Sequence, residues 1–197
     1  MALTESTMTQ LGAVAPAFEL PDVTTGTTVA LETFAGDKAL LVMFICNHCP
    51  FVKHVHQELA RLGRDYFDRP LGIVAINANN VDTHPDDAPD KMKETAEQWG
   101  LTFPYCYDET QQTAKAYGAA CTPDFFLFDS SRRLVYRGQL DDSRPENNKP
   151  ITGNDLRAAI DAILDGRPAP SEQKPSIGCN IKWKPGNEPS YVSARGA

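Results

Sequence analysis

A chain of 197 residues, 41% of them hydrophobic and with 26 acidic against 19 basic side chains, carries a formal net charge of −7 at pH 7. That length sustains one domain with a sizeable core, or one domain with appendages, and the acidic balance argues against nonspecific nucleic-acid binding and against a polybasic membrane surface. No run of about eighteen apolar residues offers a transmembrane helix, and residues 1–7 lack the basic-then-apolar order of a secretory signal, so cytoplasm is the expected compartment.

Residues 1–14 read as a loosely held lead-in. Alternation over 15–21 predicts a short strand stopped by Pro21; 22–27, with Gly26, turns the chain, and 28–31 suits a second strand, giving an N-terminal hairpin. The continuous apolar run 39–45 predicts a fully buried strand. Val52, Val55, Leu59 and Leu62 then recur at spacings of three and four among Lys53, His56, Glu58, Arg61 and Arg64, which predicts an amphipathic helix from about 50 to 67. A second short apolar run, 71–77, completes a βαβ unit with parallel strands and a right-handed crossover.

The polar stretch 79–89 predicts an exposed connection, 90–99 a helix stopped by Gly100, 102–107 a short strand, and 110–117 a brief helix stopped by Gly118. Residues 121–129, with Pro123 near their start, pair with 134–137 as an antiparallel hairpin turned at 130–132. The charges of Arg137, Asp141, Asp142 and Arg144 either line a substrate cleft or, as is commoner, belong to a solvated loop. Thr152 or Asn154 caps a helix with Leu156, Ile160, Ile163 and Leu164 on one face and Gly166 past its end. Beyond Pro168 a tail rich in Pro, Gly and Lys still carries Ile177, Cys179, Ile181 and Trp183.

The chemistry concentrates in the cysteines: Cys46, Cys49, Cys106, Cys121 and Cys179. An odd number in a reducing compartment is not a structural disulfide framework. Cys46 and Cys49, two residues apart between a buried strand and a helix, are placed as a reversible thiol–disulfide couple. The positive end of the helix and its unpaired N–H groups favour a thiolate over a thiol. If Pro50 is the first helical residue, Cys49 takes the cap; if the first turn begins at Cys46, that sulfur lies within it. His48, between them, either stabilises a thiolate or is an ordinary loop histidine. Cys106 belongs to the core of an aromatic strand. A reading from another class makes Cys46, His48, Cys49, His54 and His56 donors for zinc or copper. Against it, His54 and His56 fall on different faces of the helix, and no second cysteine pair has zinc-finger spacing. No metal and no cofactor is expected, since nothing resembles a phosphate loop, a dinucleotide fingerprint or a hydrolase elbow.

Two motifs, Cys46-Asn47-His48-Cys49-Pro50-Phe51-Val52 and Cys121-Thr122-Pro123-Asp124-Phe125-Phe126-Leu127-Phe128-Asp129, stand in the order βαβ, helix, β-hairpin, helix. Over roughly residues 12–183 the chain resembles the thioredoxin-like redoxin family, and within it the peroxiredoxin-like subgroup. The resemblance implies an α/β, thioredoxin-like fold: an N-terminal β-hairpin extension, a central mixed sheet flanked by helices, and an irregular C-terminal tail. The domain would be 15–167, after a lead-in of 1–14, with 168–197 packed on it. It further implies that Cys46 is the nucleophile and Cys49 the resolving thiol. Pro123 would be a cis-proline lying against the pair, with the backbone of Thr122 open to a substrate strand.

Cys121 would then lie near the pair, as an additional resolving thiol or as a small buried side chain, and the tail thiol Cys179 as a resolving partner or as packing. Two departures stand out. Ile45 replaces the tryptophan of thioredoxins, and the Thr/Ser and Pro that peroxiredoxins place before their reactive cysteine become, aligned on Cys49, Cys46 and Val42. The expected activity is thiol–disulfide exchange with protein or small-molecule thiols and disulfides, fed by an upstream thiol reductant. A thiol-dependent peroxide reductase and a copper or zinc carrier are the alternatives.

Overall fold

In the computed structural model, which describes residues 3–193, the lead-in is not loose chain. It opens as β1 (Leu3–Glu5) and is followed by the predicted hairpin of β2 (Glu19–Pro21) and β3 (Thr28–Ala30). The βαβ unit is β4 (Ala39–Phe44), α1 (Pro50–Asp65) and β5 (Leu71–Asn77). Then come α2 (Pro89–Trp99), β6 (Tyr105–Tyr107), α3 (Gln112–Tyr117), β7 (Cys121–Thr122), β8 (Asp124–Asp129), β9 (Leu134–Tyr136), α4 (Asn154–Leu164) and β10 (Ile177–Asn180).

The main sheet has the order β6-β5-β4-β8-β9, with β4, β5 and β6 parallel and β8 and β9 antiparallel. This is the expected mixed sheet. β4 lies at its centre, Val42 paired to Val74 on one side and Phe126 on the other, and all six of its residues are buried. Side chains alternate across a strand, so Leu41 and Met43 join Val52, Leu59, Leu156 and Ile160 from α1 and α4. Leu40, Val42 and Phe44 meet Phe18, Tyr117, Phe126 and Phe128 on the other face. A sheet covered on both sides needs a strand that is apolar throughout, which is what the run 39–45 supplies. The phenylalanines of β8 are packing, as expected.

α1 starts at Pro50, whose missing N–H would have had no helical partner at that position. It packs closely on the chain before β6: a Cβ on Gly63 would stand 2.6 Å from Thr102 Oγ1 and 2.8 Å from the Phe103 ring. The cap of α4 is neither Thr152 nor Asn154. Gly153 occupies it in the left-handed region (φ 66°), and the Asp141 carboxylate reaches back to accept the Thr152 and Gly153 N–H groups at 2.7 Å each.

Three other expectations change for one reason, the demand that buried polar groups find partners. β1 is bound into a second sheet of order β1-β10-β7, and Ser6 just after it is buried, donating to Asp124 Oδ1 at 2.8 Å. The connection 79–89 is not simply exposed, since Asn79, Asn80 and Asp87 are buried in it. Arg137 is not a solvated loop charge but a wholly buried ion pair with Asp124, lying 3.8 Å over the Phe126 ring. Of the lead-in and tail, residues 1–2 and 194–197 lie outside the described residues. No helix among those described is long and apolar enough to cross a membrane.

Candidate active site

β4 runs out beneath the site and hands Ile45 and Cys46 to a short loop, which closes when Cys49 caps α1. The Cys49 carbonyl accepts the Lys53 N–H at 2.9 Å, the first helical bond. Of the two placements open to Pro50, the chain therefore takes the one that sets Cys49 at the cap. Facing the loop is the Thr122–Pro123 peptide, which is cis. Thr122 touches both sulfurs. Its Oγ1 lies 3.3 Å from Cys46 Sγ, and its carbonyl is 3.2 Å from Cys49 Sγ, placed to accept from the protonated thiol.

A third sulfur completes the site. Cys179, on β10, stands opposite Thr122, whose carbonyl lies 3.2 Å from Cys49 Sγ. The backbone edge of Thr122, expected to be open, is therefore already paired. Cys46 and Cys49 are 0% exposed and Cys179 3%, and all three belong to one buried cluster.

The thiols are unequal. Cys49 is held well below the ordinary cysteine range by the neighbouring Cys179 and then Cys46 thiols, which outweigh the upward push of burial. Cys46 is driven up, first by burial, then by giving its hydrogen bond to Cys49 and by the negative charge of Asp87. Cys179 is driven up by its bond to Cys49 and by burial. A thiolate on Cys49 with two thiols donating to it is the arrangement these contacts stabilise.

His48 does not touch a sulfur through a hydrogen bond. Its Nδ1 meets Asp87 Oδ2 at 2.6 Å, and its ring lies against His84 with centroids 4.7 Å apart. Burial pushes the Asp87 carboxyl up, but bonds from His48, Asn79 Nδ2 (2.8 Å) and the Asn47 amide (2.8 Å to Oδ1) outweigh it and leave the carboxyl below its usual range. Asn47 is fastened as well: its Nδ2 donates to the Asp86 carbonyl (2.7 Å) and its Oδ1 accepts from Tyr105 Oη (3.1 Å). The segment around Asp86 and Asp87 thus holds the cysteine loop in shape.

The metal alternative does not assemble as expected. Cys46, His48 and Asp87 bring donor atoms within 4.8 Å of one another, but both Asp87 oxygens are engaged by Asn47, Asn79 and His48. His54 bonds Ser143 Oγ at 2.7 Å, and His56 Nδ1 bonds the Lys53 carbonyl at 2.7 Å. Cys121, one residue before Thr122, brings its thiol to the Pro123 and Ser176 carbonyls at 3.6 and 4.0 Å, and burial pushes it far up. Cys106 sits in the core on the far face of the sheet, where burial pushes it up to about 12. Asp87, Asn79 and Tyr105 are the site residues that reading the sequence missed.

The family model for redoxins matches residues 10–156, and the chain belongs to that family. It is similar to the crystal structure of an uncharacterized conserved protein from Geobacillus kaustophilus, with 58% identity, a TM-score of 0.92, and coverage of 94% of this chain and 98% of that one. Among curated proteins it is 28% identical over 131 residues to the thiol-disulfide oxidoreductase ResA of Geobacillus thermodenitrificans, covering 66% of this chain and 70% of the relative. The thioredoxin domain of a thiol-disulfide oxidoreductase from Bacteroides vulgatus has the same fold, at 19% identity and a TM-score of 0.56, over 70% of this chain and 91% of that one. The fold is thioredoxin-like.

Proposed function

We propose that this redoxin is a thiol–disulfide oxidoreductase whose working couple is Cys46 and Cys49, with Cys49 the attacking thiolate. The observation that carries the assignment is the place of Cys49 at the cap of α1, where the positive end of the helix favours a thiolate, while Cys46 lies within 4.8 Å of the Asp87 carboxylate. The Cys49 thiolate attacks one sulfur of a substrate disulfide, forming a mixed disulfide and expelling the other sulfur as a thiolate. Cys46 then attacks Cys49 Sγ, and its proton passes to the departing substrate sulfur. The substrate sulfur leaves as a thiol and a 46–49 disulfide remains. Thr122 and Pro123 shape the pocket that receives the substrate sulfur, with Thr122 setting the spacing of the couple. His48 acts on Cys46 through Asp87.

Thiols and disulfides, protein or small-molecule, are the proposed substrates, and another thiol system returns the couple to its reduced form. The cytoplasm is the proposed compartment, supported by an odd number of cysteines, all free. The second reading, peroxide reduction by Cys49, is disfavoured, because Cys46 and Val42 stand where peroxiredoxins carry the Thr/Ser and Pro of their peroxide-activating constellation. In that reading the thiolate attacks a peroxide oxygen, the O–O bond breaks with release of water or an alcohol, and Cys46 condenses with the resulting sulfenic acid, releasing a second water.

Titration against glutathione buffers, with thiols trapped in acid and mapped by mass spectrometry, tests the main reading. A two-electron transition to a 46–49 disulfide is expected, and Cys49→Ser should abolish the first attack while Cys46→Ser keeps it. First attack surviving in Cys49→Ser would overturn the assignment of the nucleophile.

A further inference from the structure

We propose that Cys179 is a second resolving thiol for Cys49, held in place because β10 lies on the edge of β7 as an internal substrate strand. The proposal rests on the exchange reading above and adds a sulfur to it. Three features of the fold support it.

The first is register. β10 runs antiparallel to β7 with Cys179 opposite Thr122 and Asn180 opposite Cys121, and the pairing continues as Ile181 N–H donates to the Ala120 carbonyl at 3.2 Å. Thr122 is the residue that touches both redox sulfurs, so its edge is where an extended peptide would bring a sulfur to Cys49. β10 occupies that edge and presents a sulfur there.

The second is closeness. A Cβ on Gly178 would stand 1.9 Å from the Thr122 carbonyl oxygen and 2.6 Å from its carbon. Those are backbone atoms that cannot step aside, so only glycine permits this approach.

The third is anchoring. Ser176 Oγ donates to the Pro123 carbonyl at 2.7 Å, Ser176 N donates to Ser6 Oγ at 3.0 Å, and β1 covers the outer edge of β10 with Leu3 opposite Cys179. Cys179 is therefore fixed against Cys49 and does not need to swing in.

The step balances without an outside reagent. In the mixed disulfide between Cys49 and a substrate, the Cys179 sulfur bonds to Cys49 Sγ as the Cys49–substrate S–S bond breaks. The Cys179 proton passes to the departing substrate sulfur. Cys49 and Cys179 are oxidised together by two electrons, the substrate sulfur is reduced to a thiol, and Cys46 stays a thiol. Internal exchange can then move the disulfide between 49–179 and 46–49 with no net change in electrons.

The test uses the full chain as wild type, Cys46→Ser, Cys179→Ser and the double variant, equilibrated with oxidised and reduced glutathione, quenched in acid and mapped by mass spectrometry. Cys46→Ser should form a 49–179 disulfide with little glutathione left on Cys49. The double variant should accumulate the Cys49–glutathione adduct at least tenfold more. If Cys46→Ser accumulates the adduct as fully as the double variant, the proposal is overturned; Cys46→Ala repeats the measurement should the serine disturb folding. A wild type that forms 46–49 while Cys46→Ser forms no 49–179 sinks the Cys179 branch alone. Absence of any adduct or disulfide at Cys49 in every variant sinks the exchange reading with it. Gly178→Ala gives an independent readout: alkylation of Cys49 by iodoacetamide should rise at least tenfold at unchanged circular dichroism, and an unchanged rate would refute the placement of β10.

Discussion

Asp124→Asn isolates the ion pair beneath the site. Asp124 and Arg137 have fully buried side chains, and the guanidinium makes a forked contact, its second arm 2.9 Å from Asp124 Oδ2. The same carboxylate accepts from Ser6 Oγ at 2.8 Å and from the Ala120 amide at 3.1 Å, so it ties β8 to the chain after β1 and to the approach to β7. Asparagine keeps the shape but leaves Arg137 as an uncompensated cation in the core. Breaking a buried pair from one side costs about 3–5 kcal/mol. For 197 residues, the unfolding entropy near the midpoint is about 0.4 kcal/mol/K, so Tm should fall by about 7–12 °C. Thermal unfolding of the reduced protein at neutral pH, followed by circular dichroism, measures this. A fall of less than about 2 °C would mean that the pair is not desolvated as described, and the reasoning from burial to stability would fail.

Two further outcomes follow from the charges around the thiols. Cys49 lies below its ordinary value in the fold, so the ultraviolet absorbance of one thiolate should persist as pH is lowered through about 8.5, the free-cysteine value. It should vanish in Cys49→Ser and remain in Cys46→Ser; a midpoint at or above the free value would refute the thiolate assignment. Asp87 is likewise depressed, so its contribution to stability is full above about pH 3.9, its unfolded value, and is lost as pH falls through its folded value. Asp87→Asn should therefore cost about 1.5–3 kcal/mol at neutral pH through weakened charge-assisted bonds, with a Tm gap to wild type that narrows in acid. A gap independent of pH would contradict the linkage. In a Cys49→Ser background, Asp87→Asn should also move Cys46 alkylation to lower pH, since the charge opposing its thiolate has gone.

What was legible in the sequence was local. The run 39–45, the helical spacing after Pro50 and the hairpin pattern each express themselves within a few residues, and the mixed sheet and the packing role of Phe125, Phe126 and Phe128 could be read from them. What stayed hidden depends on partners distant along the chain. Nothing marks Asp87 among its acidic neighbours until the loop brings it to His48, and Arg137 looks like a surface charge until Asp124 is seen beside it. The third thiol is hidden for the same reason: Cys179 lies on a strand that sequence patterning does not distinguish from the rest of a polar tail. Cys121 went unresolved because the outcome turns on which way its side chain leaves a strand of two residues.

The pairing of β10 with β7 also has a consequence in time. Cys46 and Cys49 are synthesised about 130 residues before Cys179. At about 5–20 residues per second, a ribosome makes the reactive thiols roughly 7–25 s before the segment that covers them. During that interval the nascent chain carries its cysteine pair without the glycine-guided strand over it, open to any passing oxidant. The finished protein has a shielded sulfur cluster; the growing one does not, and its redox history begins before its fold is complete.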